Sequence, residues 1–242
     1  MALHYFYGQV IRAHANPGWT IVISRAGHIT WEADQRPTLH AAGVVFPPHV
    51  THRANSVAGH VSVFIDPWHL QLGPGHRRAI PLDLPTADHV RVLWPLGDAG
   101  DPDERARETV ALLRRRDLLP CRVAIDPRVG AALPNLEVAD CLDQVAAAVR
   151  LSPSRLRALV REQTGAPPAQ WRMWRRLWAA ILDLPAKPIA LAAVDAGFAD
   201  QAHLTRTATR LVGQTPGDLA RIFNATPHRR QDERTFALTA AA

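Results

Sequence analysis

The pattern of hydrophobic and polar positions changes near the middle of the chain. Before about residue 96, apolar residues form short runs rich in Val, Ile, Phe and Trp, and Gly and Pro separate these runs. Runs of this kind cover residues 19–23, 28–31, 43–46 and 60–65. Short β-branched and aromatic runs between turn residues are typical of strands in a small sandwich or barrel. We therefore predict that residues 5–96 are all-β.

A helical pattern begins after residue 98. The sequence Asp101-Pro102-Asp103-Glu104 places a capping carboxylate, a first-turn proline and two more acids ahead of apolar residues at helical spacing. Three arginines at 114–116 follow, where the end of a helix favours cations. This pattern predicts one helix over residues 102–118, which is either a solvated connector or a dimerisation helix.

After residue 120 the periodic stretches all have the helical period. A capped start is predicted at Asp126, and helices are predicted over 138–149, 153–163, 168–184, 188–196, 200–211 and 216–223. The whole pattern predicts the α+β class, in which a small β-barrel precedes an all-α part of seven helices.

Two segments of this helical part share the order helix, tight turn, helix. In the first, Ser152 or Ser154 caps the second helix; in the second, Asp200 does so. Gly197 suits the second turn, because such turns often need a left-handed backbone. The sequence therefore predicts two helix-turn-helix units.

The second helix of each unit carries polar groups opposite its apolar stripe. Arginine can bond guanine through two hydrogen bonds, glutamine can bond adenine, and any of these donors can bind phosphate. An ordinary solvated polar face is the alternative interpretation. The candidate DNA contacts are Ser154, Arg155, Arg157 and Arg161 in the first unit and Gln201, His203, Arg206 and Arg210 in the second.

The helix predicted between the two units has a heavy apolar stripe. Its members recur at steps of three or four residues and are Trp171, Trp174, Leu177, Trp178 and Ile181. A rigid helix of this kind can hold two units at a set separation, and major grooves on one face of B-DNA recur every ~34 Å.

Positive charge is concentrated in the same half of the chain. The net charge of +6 divides into +1 for residues 1–119 and +5 for residues 120–242, and ten of the twelve histidines lie in the first half. Seven arginines and one acid lie between residues 150 and 176. This distribution indicates a basic module that binds a polyanion in a salt-dependent manner, attached to a part with different chemistry.

Specific motifs mark the helical part. They are Leu-Ser-Pro-Ser-Arg-Leu at 151–156 with Thr164-Gly165, Arg176-Leu177 with Ala180, and Gly197-Phe198 followed by Gly-x-Thr-Pro at 213–216. With these motifs, residues 142–223 resemble the DNA-binding domain of the AraC/XylS family of bacterial transcription regulators. The resemblance implies that the second helix of each unit enters the major groove. It implies base-reading positions at Ser154, Arg157, Ala158, Gln201, Ala202 and Arg206.

The resemblance is imperfect in the core of the two units. The family usually has large aromatic residues where this chain has Val160, Leu204 and Ala208. Either the additional tryptophans refill this space, or the second unit is loosely held and becomes ordered only on DNA.

The first part of the chain is similar to the small cupin-type barrel that many AraC/XylS regulators carry as a sensor. The similarity covers about residues 5–75 and depends on the spacing of Gly, Pro and His in 25–30 and 43–52. It implies a small organic effector, with candidate pocket residues His14, Trp19, Trp31 and His52. RNA polymerase and a homodimer formed through the barrel or residues 102–118 are also implied as partners.

A metal-dependent cupin enzyme is one rival hypothesis. An active cupin typically has His-x-His and a Glu, with a third His later. Residues 1–96 contain no His-x-His, and Glu32 is their only glutamate, although His52 suits the third position. We therefore expect no metal, no cofactor and no catalysis. A second rival is a basic architectural protein that coats DNA without sequence preference.

The predicted division is a cupin-like sensor and dimerisation barrel (1–97), a helical connector (98–120), a double helix-turn-helix domain (121–226) and a flexible tail (227–242). Two cysteines, Cys121 and Cys141, are too few for a disulfide framework and too far apart for a zinc site. The sequence has no apolar stretch of about 18 residues, and its first 12 residues alternate like a strand, so we expect neither a membrane span nor a secretory leader. We expect a cytoplasmic protein whose main partner is double-stranded DNA.

Overall fold

The computed structural model describes residues 2–6, 11–34, 38–66, 78–94, 102–119, 125–136 and 141–225. Within these ranges, eight strands precede nine helices. The strands are β1 (Ala2–Phe6), β2 (Trp19–Ser24), β3 (Ile29–Ala33), β4 (Leu39–Ala41), β5 (Gly43–Phe46), β6 (His52–Asn55), β7 (His60–Ile65) and β8 (Ile80–Leu82). The helices are α1 (Leu84–Leu93), α2 (Pro102–Arg115), α3 (Pro127–Asn135), α4 (Leu142–Ala148), α5 (Pro153–Thr164), α6 (Pro168–Asp183), α7 (Ile189–Asp195), α8 (Gln201–Val212) and α9 (Pro216–Ala225). The α+β fold class is confirmed, and α3–α9 are the seven helices of the second part.

The strands form two antiparallel sheets. The larger has the order β1-β7-β2-β5-β8, and the smaller has the order β4-β3-β6. Phe46 and Val44 of the larger sheet share a core with Ile29, Trp31 and Ala54 of the smaller one, so the sheets face each other. Both sheets are open along the described residues. Along this part of the chain the β region is therefore a pair of open, facing sheets, where the sequence predicted a small cupin-like barrel.

Helices α1 and α2 cover the other face of the larger sheet. Trp19, Ile21 and Val63 from the strands share a core there with Val90 of α1 and Leu113 of α2. Because β2 and β7 are covered on both faces, all six residues of each strand are buried. This double burial explains why their sequences are nearly continuous apolar runs without clear alternation.

Two predicted boundaries were wrong. Helix α1 lies in the segment predicted to be all-β, although its start has a local signal: Asp83 Oδ1 accepts a hydrogen bond of 2.8 Å from Thr86 N, and Pro85 occupies the first turn. Helix α4 begins at Leu142, whereas the prediction began at 138; residues 137–140 lie outside the described part of the chain. The other helices agree with their predictions to within two or three residues at each end.

One core joins the seven helices α3–α9. Trp171, Trp174 and Trp178 of α6 are at most 4% exposed and belong to the same apolar cluster as the small residues Val160, Leu204 and Ala208. The rings of Trp174 and Trp178 meet edge to face with centroids 5.2 Å apart. The tryptophans thus contribute large aromatic volume to the core that supports α5 and α8.

The β part and the helical part are packed together. Phe64 of β7 belongs to the core of the helices and lies 5.8 Å and 5.0 Å, centroid to centroid, from the rings of Trp174 and Trp178. Trp174 Nε1 donates a hydrogen bond of 3.3 Å to Asp66 Oδ1. The predicted boundaries near 97 and 120 and the predicted tail 227–242 lie outside the described residues. No described helix is both long and apolar enough to span a bilayer.

Candidate nucleic-acid interface

Two helix-turn-helix units, α4–α5 and α7–α8, repeat the same plan. Helices α5 and α8 each have 12 residues, and each ends at a glycine in the left-handed conformation, Gly165 (φ +77°) or Gly213 (φ +73°). The next helix begins with a proline three residues later, at Pro168 or Pro216. The second helices of the two units are therefore equivalent, with a constant offset of 48 residues between matching positions.

The turns inside the two units also begin alike, at an offset of 47 residues, and the second unit has one more residue between its turn and its cap. Each has one residue in the left-handed conformation, Arg150 (φ +55°) in the first unit and Gly197 (φ +76°) in the second. A backbone hydrogen bond of 2.9 Å then closes each turn. Its donor and acceptor residues are Leu151 and Ala146 in the first unit, and Phe198 and Ala193 in the second.

The predicted caps begin both second helices. Ser152 Oγ accepts a hydrogen bond of 3.2 Å from Arg155 N, and Asp200 Oδ1 accepts one of 2.6 Å from His203 N. The first cap is thus Ser152, and the hydroxyl of Ser154 lies 3.1 Å from it. Because a capping residue defines where a helix starts, these two side chains determine which residues form the first turn of α5 and of α8.

On α5 the predicted contact residues share one face. Its opposite face, formed by Leu156, Leu159 and Val160, is buried. The exposed residues include Ser154, Arg155, Arg157, Ala158 and Arg161. Because three of these five residues are arginines, the face is suited to phosphate oxygens and to the edge of guanine.

Helix α8 presents a comparable face with one exception. Gln201, Ala202, Arg206 and Arg210 are exposed, whereas His203 is half-buried. The His203 ring lies edge-on to Phe198 of the turn, with centroids 5.1 Å apart. The structure therefore places nine of the ten predicted contact residues on exposed faces, and it packs the remaining one partly against the turn.

A segment of the β part, in which the sequence predicted only His14 as a functional residue, contacts the end of α8. We call residues 11–15 the strap. Arg12 N donates to Gly213 O at 3.1 Å, and Ala15 N donates to Arg210 O at 3.4 Å. A Cβ atom at Gly213 would lie 2.5 Å from Arg12 O, so the strap requires glycine there. Arg12 Nη1 also lies 3.7 Å from Asp218 Oδ2 in α9.

The other edge of the strap belongs to the smaller sheet. Ile11 N donates to Ala54 O at 3.2 Å, and His14 and His52 exchange backbone hydrogen bonds of 3.0 Å and 2.9 Å. The strap therefore joins β6 directly to the C-terminal end of α8. No local pattern predicted these contacts, because the partners of the strap lie about 40 and 200 residues away along the chain.

The first unit is held by a different set of contacts. Asp126 N, before α3, donates to Gln163 Oε1 of α5 at 2.9 Å. Hydrogen bonds from Arg128 lower the pKa of the Asp126 carboxyl to about 2. Arg172 Nε of α6 donates to Leu136 O at the end of α3 at 2.9 Å. Helix α3 therefore ties α5 to the linker helix α6.

Three of the four candidate effector residues come together between the sheets. The ring of His52 stacks on Phe46 at 3.8 Å and lies 4.3 Å from His14, and Trp31 meets Phe46 edge-on at 5.7 Å. Burial lowers the pKa of His14 to about 4 and the pKa of His52 well below its usual value. Trp19 lies apart, in the core under α1 and α2.

A small groove of about 200 Å³ lies beside this cluster. Its lining includes Trp31, Ile11 of the strap, and the ion pair between Arg53 Nη2 and Glu32 Oε1 at 2.6 Å. Pockets for organic ligands usually have about 300–1,000 Å³, so the groove is small by comparison. Among the described residues, no group of three or more His, Cys, Asp or Glu side chains is arranged to hold a metal ion.

Comparisons with known proteins agree with this geometry. Residues 145–222 match the family described as "Helix-turn-helix domain", which is of the AraC type. A comparison with curated proteins found no match.

Among solved structures, the chain is similar to ToxT from Vibrio cholerae in its P21 crystal form, with a TM-score of 0.59, 8% identity, and coverage of 91% of this chain and 98% of that one. For wild-type ToxT from strain SCE256 bound to an unsaturated fatty acid, the TM-score is 0.58 and the identity is 8%. The match covers 91% of this chain and 95% of that one. A looser overlap with the AraC-like transcriptional activator CuxR has a TM-score of 0.32 and 16% identity over 69% of this chain and 68% of that one.

Residues 145–222 thus form an AraC-type helix-turn-helix domain, as their motifs predicted. At 8% identity, the similarity to ToxT establishes a common fold for the chain as a whole.

Proposed function

We propose that this chain, which carries an AraC-type helix-turn-helix domain, is a sequence-specific transcription regulator that reads two successive segments of the major groove through α5 and α8. The observation that supports this proposal most is the repeat itself. Two equivalent units, each with an exposed basic or polar face on its second helix, flank the single linker helix α6.

The exposed residues divide into two roles in this proposal. Side chains that face the groove read base edges, whereas arginines at its rim bind phosphates and position the helix. The base-reading residues are Ser154, Arg157, Ala158, Gln201, Ala202 and Arg206. The phosphate ligands are Arg155, Arg161 and Arg210, with His203 at the edge of the second face.

We also propose that the β part senses a small effector and communicates with the second unit through the strap. The strap bonds to β6 on one side and to the end of α8 on the other. The cluster of His14, Trp31 and His52 lies beside it, so a ligand that displaced this cluster would move the strap. ToxT has been captured with an unsaturated fatty acid, which makes a ligand with an apolar body a sensible first test.

The remaining features of the proposal concern organisation and partners. Residues 1–97 form the sensor, 98–120 the connector, 121–226 the DNA-binding domain and 227–242 a tail. RNA polymerase is the expected protein partner, and a homodimer places two such domains on one operator.

Selection of bound duplexes from a random pool tests the proposal. We expect a site with two sub-sites one helical turn apart, about 10–10.5 base pairs, and at least about a thousandfold preference over unrelated DNA. An architectural DNA-coating protein would instead enrich no motif and show a shallow preference.

Single arginine variants sharpen this test. Arg206→Ala is expected to reduce specific affinity by about 1 to 3 kcal/mol, because it removes a base contact. Arg155→Ala and Arg161→Ala are expected to weaken binding to all sequences alike and to reduce the salt slope by about 1 each. Arg78→Ala, which removes the same charge at an exposed position before β8, is the matched control and should change neither quantity.

A further inference from the structure

Arg176 of the linker helix α6 contacts the turn of the second unit. Arg176 Nη1 donates a hydrogen bond of 3.3 Å to Gly197 O. A Cβ atom at Gly197 would lie 3.3 Å from Arg176 Cζ and 3.4 Å from its Nε. The guanidinium therefore lies directly against the backbone of the turn, and glycine makes room for it.

A second cation binds the same region from the loop between α6 and α7. Lys187 Nζ donates to Asp183 Oδ2 at 2.8 Å and to Asp195 Oδ2 at 2.9 Å. These two hydrogen bonds, first the one to Asp183 and then the one to Asp195, raise the pKa of Lys187. Asp195 ends α7 two residues before Gly197. The turn is thus linked to α6 at two points.

We propose that Arg176 is a positioning residue for DNA recognition: it holds the Gly197 turn and so determines the direction in which α8 leaves it. This inference rests on the proposed function, since direction matters only if α8 reads bases. The cap Asp200 lies three residues beyond Gly197, so the bound turn leads directly into the recognition helix.

Small rotations at this turn have large consequences for recognition. A helix of 12 residues is about 18 Å long, because each residue adds about 1.5 Å. A rotation of about 10° at its start therefore moves its far end by about 3 Å, whereas a hydrogen bond to a base tolerates only a few tenths of an ångström. Loss of the Arg176 contact should therefore lower discrimination in the second sub-site.

A phosphate-binding role for Arg176 is the alternative, and it predicts different measurements. A phosphate ligand contributes equally to all DNA sequences and to the salt dependence of binding. A positioning residue contributes to one sub-site and leaves the salt slope unchanged. Affinities for the selected duplex, for versions with either sub-site scrambled, and for unrelated DNA at several salt concentrations separate the two roles.

The variants are Arg176→Ala, Arg176→Lys, Gly197→Ala and, as the matched control on the same helix, Arg172→Ala. Discrimination in a sub-site is the ratio of the affinity for the selected duplex to the affinity for the duplex with that sub-site scrambled. For Arg176→Ala we expect this ratio to fall about tenfold for the second sub-site. The affinity for unrelated DNA and the salt slope should not change. Arg176→Lys keeps a donor and should recover part of the discrimination. Gly197→Ala disturbs the same contact without any change of charge and should reproduce the loss.

Arg172→Ala removes the same charge one turn earlier on α6, where the side chain bonds to Leu136 O near the first unit. Discrimination in the second sub-site should survive this change. A lower salt slope and equal losses for all duplexes in Arg176→Ala would overturn the inference, as would full discrimination in both Arg176→Ala and Gly197→Ala. If the wild-type chain binds all duplexes equally well, the proposed function fails, and this result is distinct from the two that would overturn the role of Arg176.

Discussion

The two helix-turn-helix units have the same local plan and different attachments. Helices α5 and α8 have equal lengths, similar turns and the same glycine ending. The first unit is tied to α3 through Gln163 and Asp126. The second is tied to the strap through Gly213 and Arg210. This difference shows that a repeated sequence pattern can determine two similar local structures while the surrounding fold gives them different mechanical connections.

The β part contacts the second unit and the linker helix in different ways. Among the described residues, the backbone of the strap donates hydrogen bonds to α8. The side chains of Phe64 and Asp66 contact α6. In the proposed function, a change in the sheets would reach α8 through the strap and α6 through Phe64 and Asp66. The predictions below test whether the two units differ in this way.

The largest expected effect is that of Gly213→Ala. Alanine is strained at φ +73°, and its Cβ would lie 2.5 Å from Arg12 O, so the strap must move. We expect a loss of about 2 to 5 kcal/mol in the free energy of unfolding, measured by urea denaturation. Gly165→Ala has the same backbone conformation (φ +77°) and should cost about 1 to 2 kcal/mol. Equal losses would mean that the strap does not hold the second unit.

The next effect is a pH dependence carried by the strap. Burial lowers the pKa of His14 to about 4, and its neighbour His52 is also lowered, while Arg12 and Asp218 lie at the edge of the same contact. In the unfolded chain the His14 side chain takes up a proton near pH 6.5, whereas in the folded chain it does so only near pH 4. The free energy of unfolding therefore falls as the pH drops from about 6.5 towards 4. His14 should contribute about 1 kcal/mol per pH unit in this range.

Urea denaturation at several pH values measures this slope. His14→Gln cannot take up the proton, so its unfolding free energy should fall less steeply between pH 6.5 and 4 than that of the wild-type chain. An unaltered slope in His14→Gln would contradict the assignment of this proton to the strap.

A smaller effect is expected in the first unit from Trp171→Phe. Trp171 is fully buried, and its Nε1 donates a hydrogen bond of 2.7 Å to Thr164 Oγ1 at the end of α5. Loss of the bond and of ring volume should cost about 1 to 3 kcal/mol. Thr164→Val removes the same bond from the other side, so the two changes should not be additive in a double-mutant cycle. Full additivity would show that the bond does not couple α5 to α6.

The smallest effect is expected from Arg150→Gly. Arg150 has φ +55° in the turn where the second unit has Gly197. Glycine adopts this left-handed backbone without strain, but it also increases the conformational entropy of the unfolded chain, which offsets part of the gain. We therefore expect the free energy of unfolding, measured by heat or urea, to rise by about 0.5 to 1 kcal/mol. Arg150→Ala keeps the strained conformation and should bring no gain. Destabilisation by glycine would mean that the Arg150 side chain itself supports the first unit.

Local signals in the sequence were sufficient for most of the helical part. Ser152, Asp200 and Asp126 cap helices where expected, because a capping side chain acts on amides within three residues of itself. The apolar stripe of α6 was also predicted, since periodicity reports which face of a helix is buried. Helix α1 had a comparable cap at Asp83, but it was missed because strand-like runs surround it.

The sequence by itself determined the repeated units, their caps and the polar faces of α5 and α8, since these depend on residues a few positions apart. Only the tertiary structure decided that the strap meets Gly213, that Phe64 enters the core of the helices, and that Arg176 lies on the turn at Gly197. Contacts between segments distant along the chain depend on shape and backbone position. Periodicity records that a face is buried, and it does not record which surface covers it.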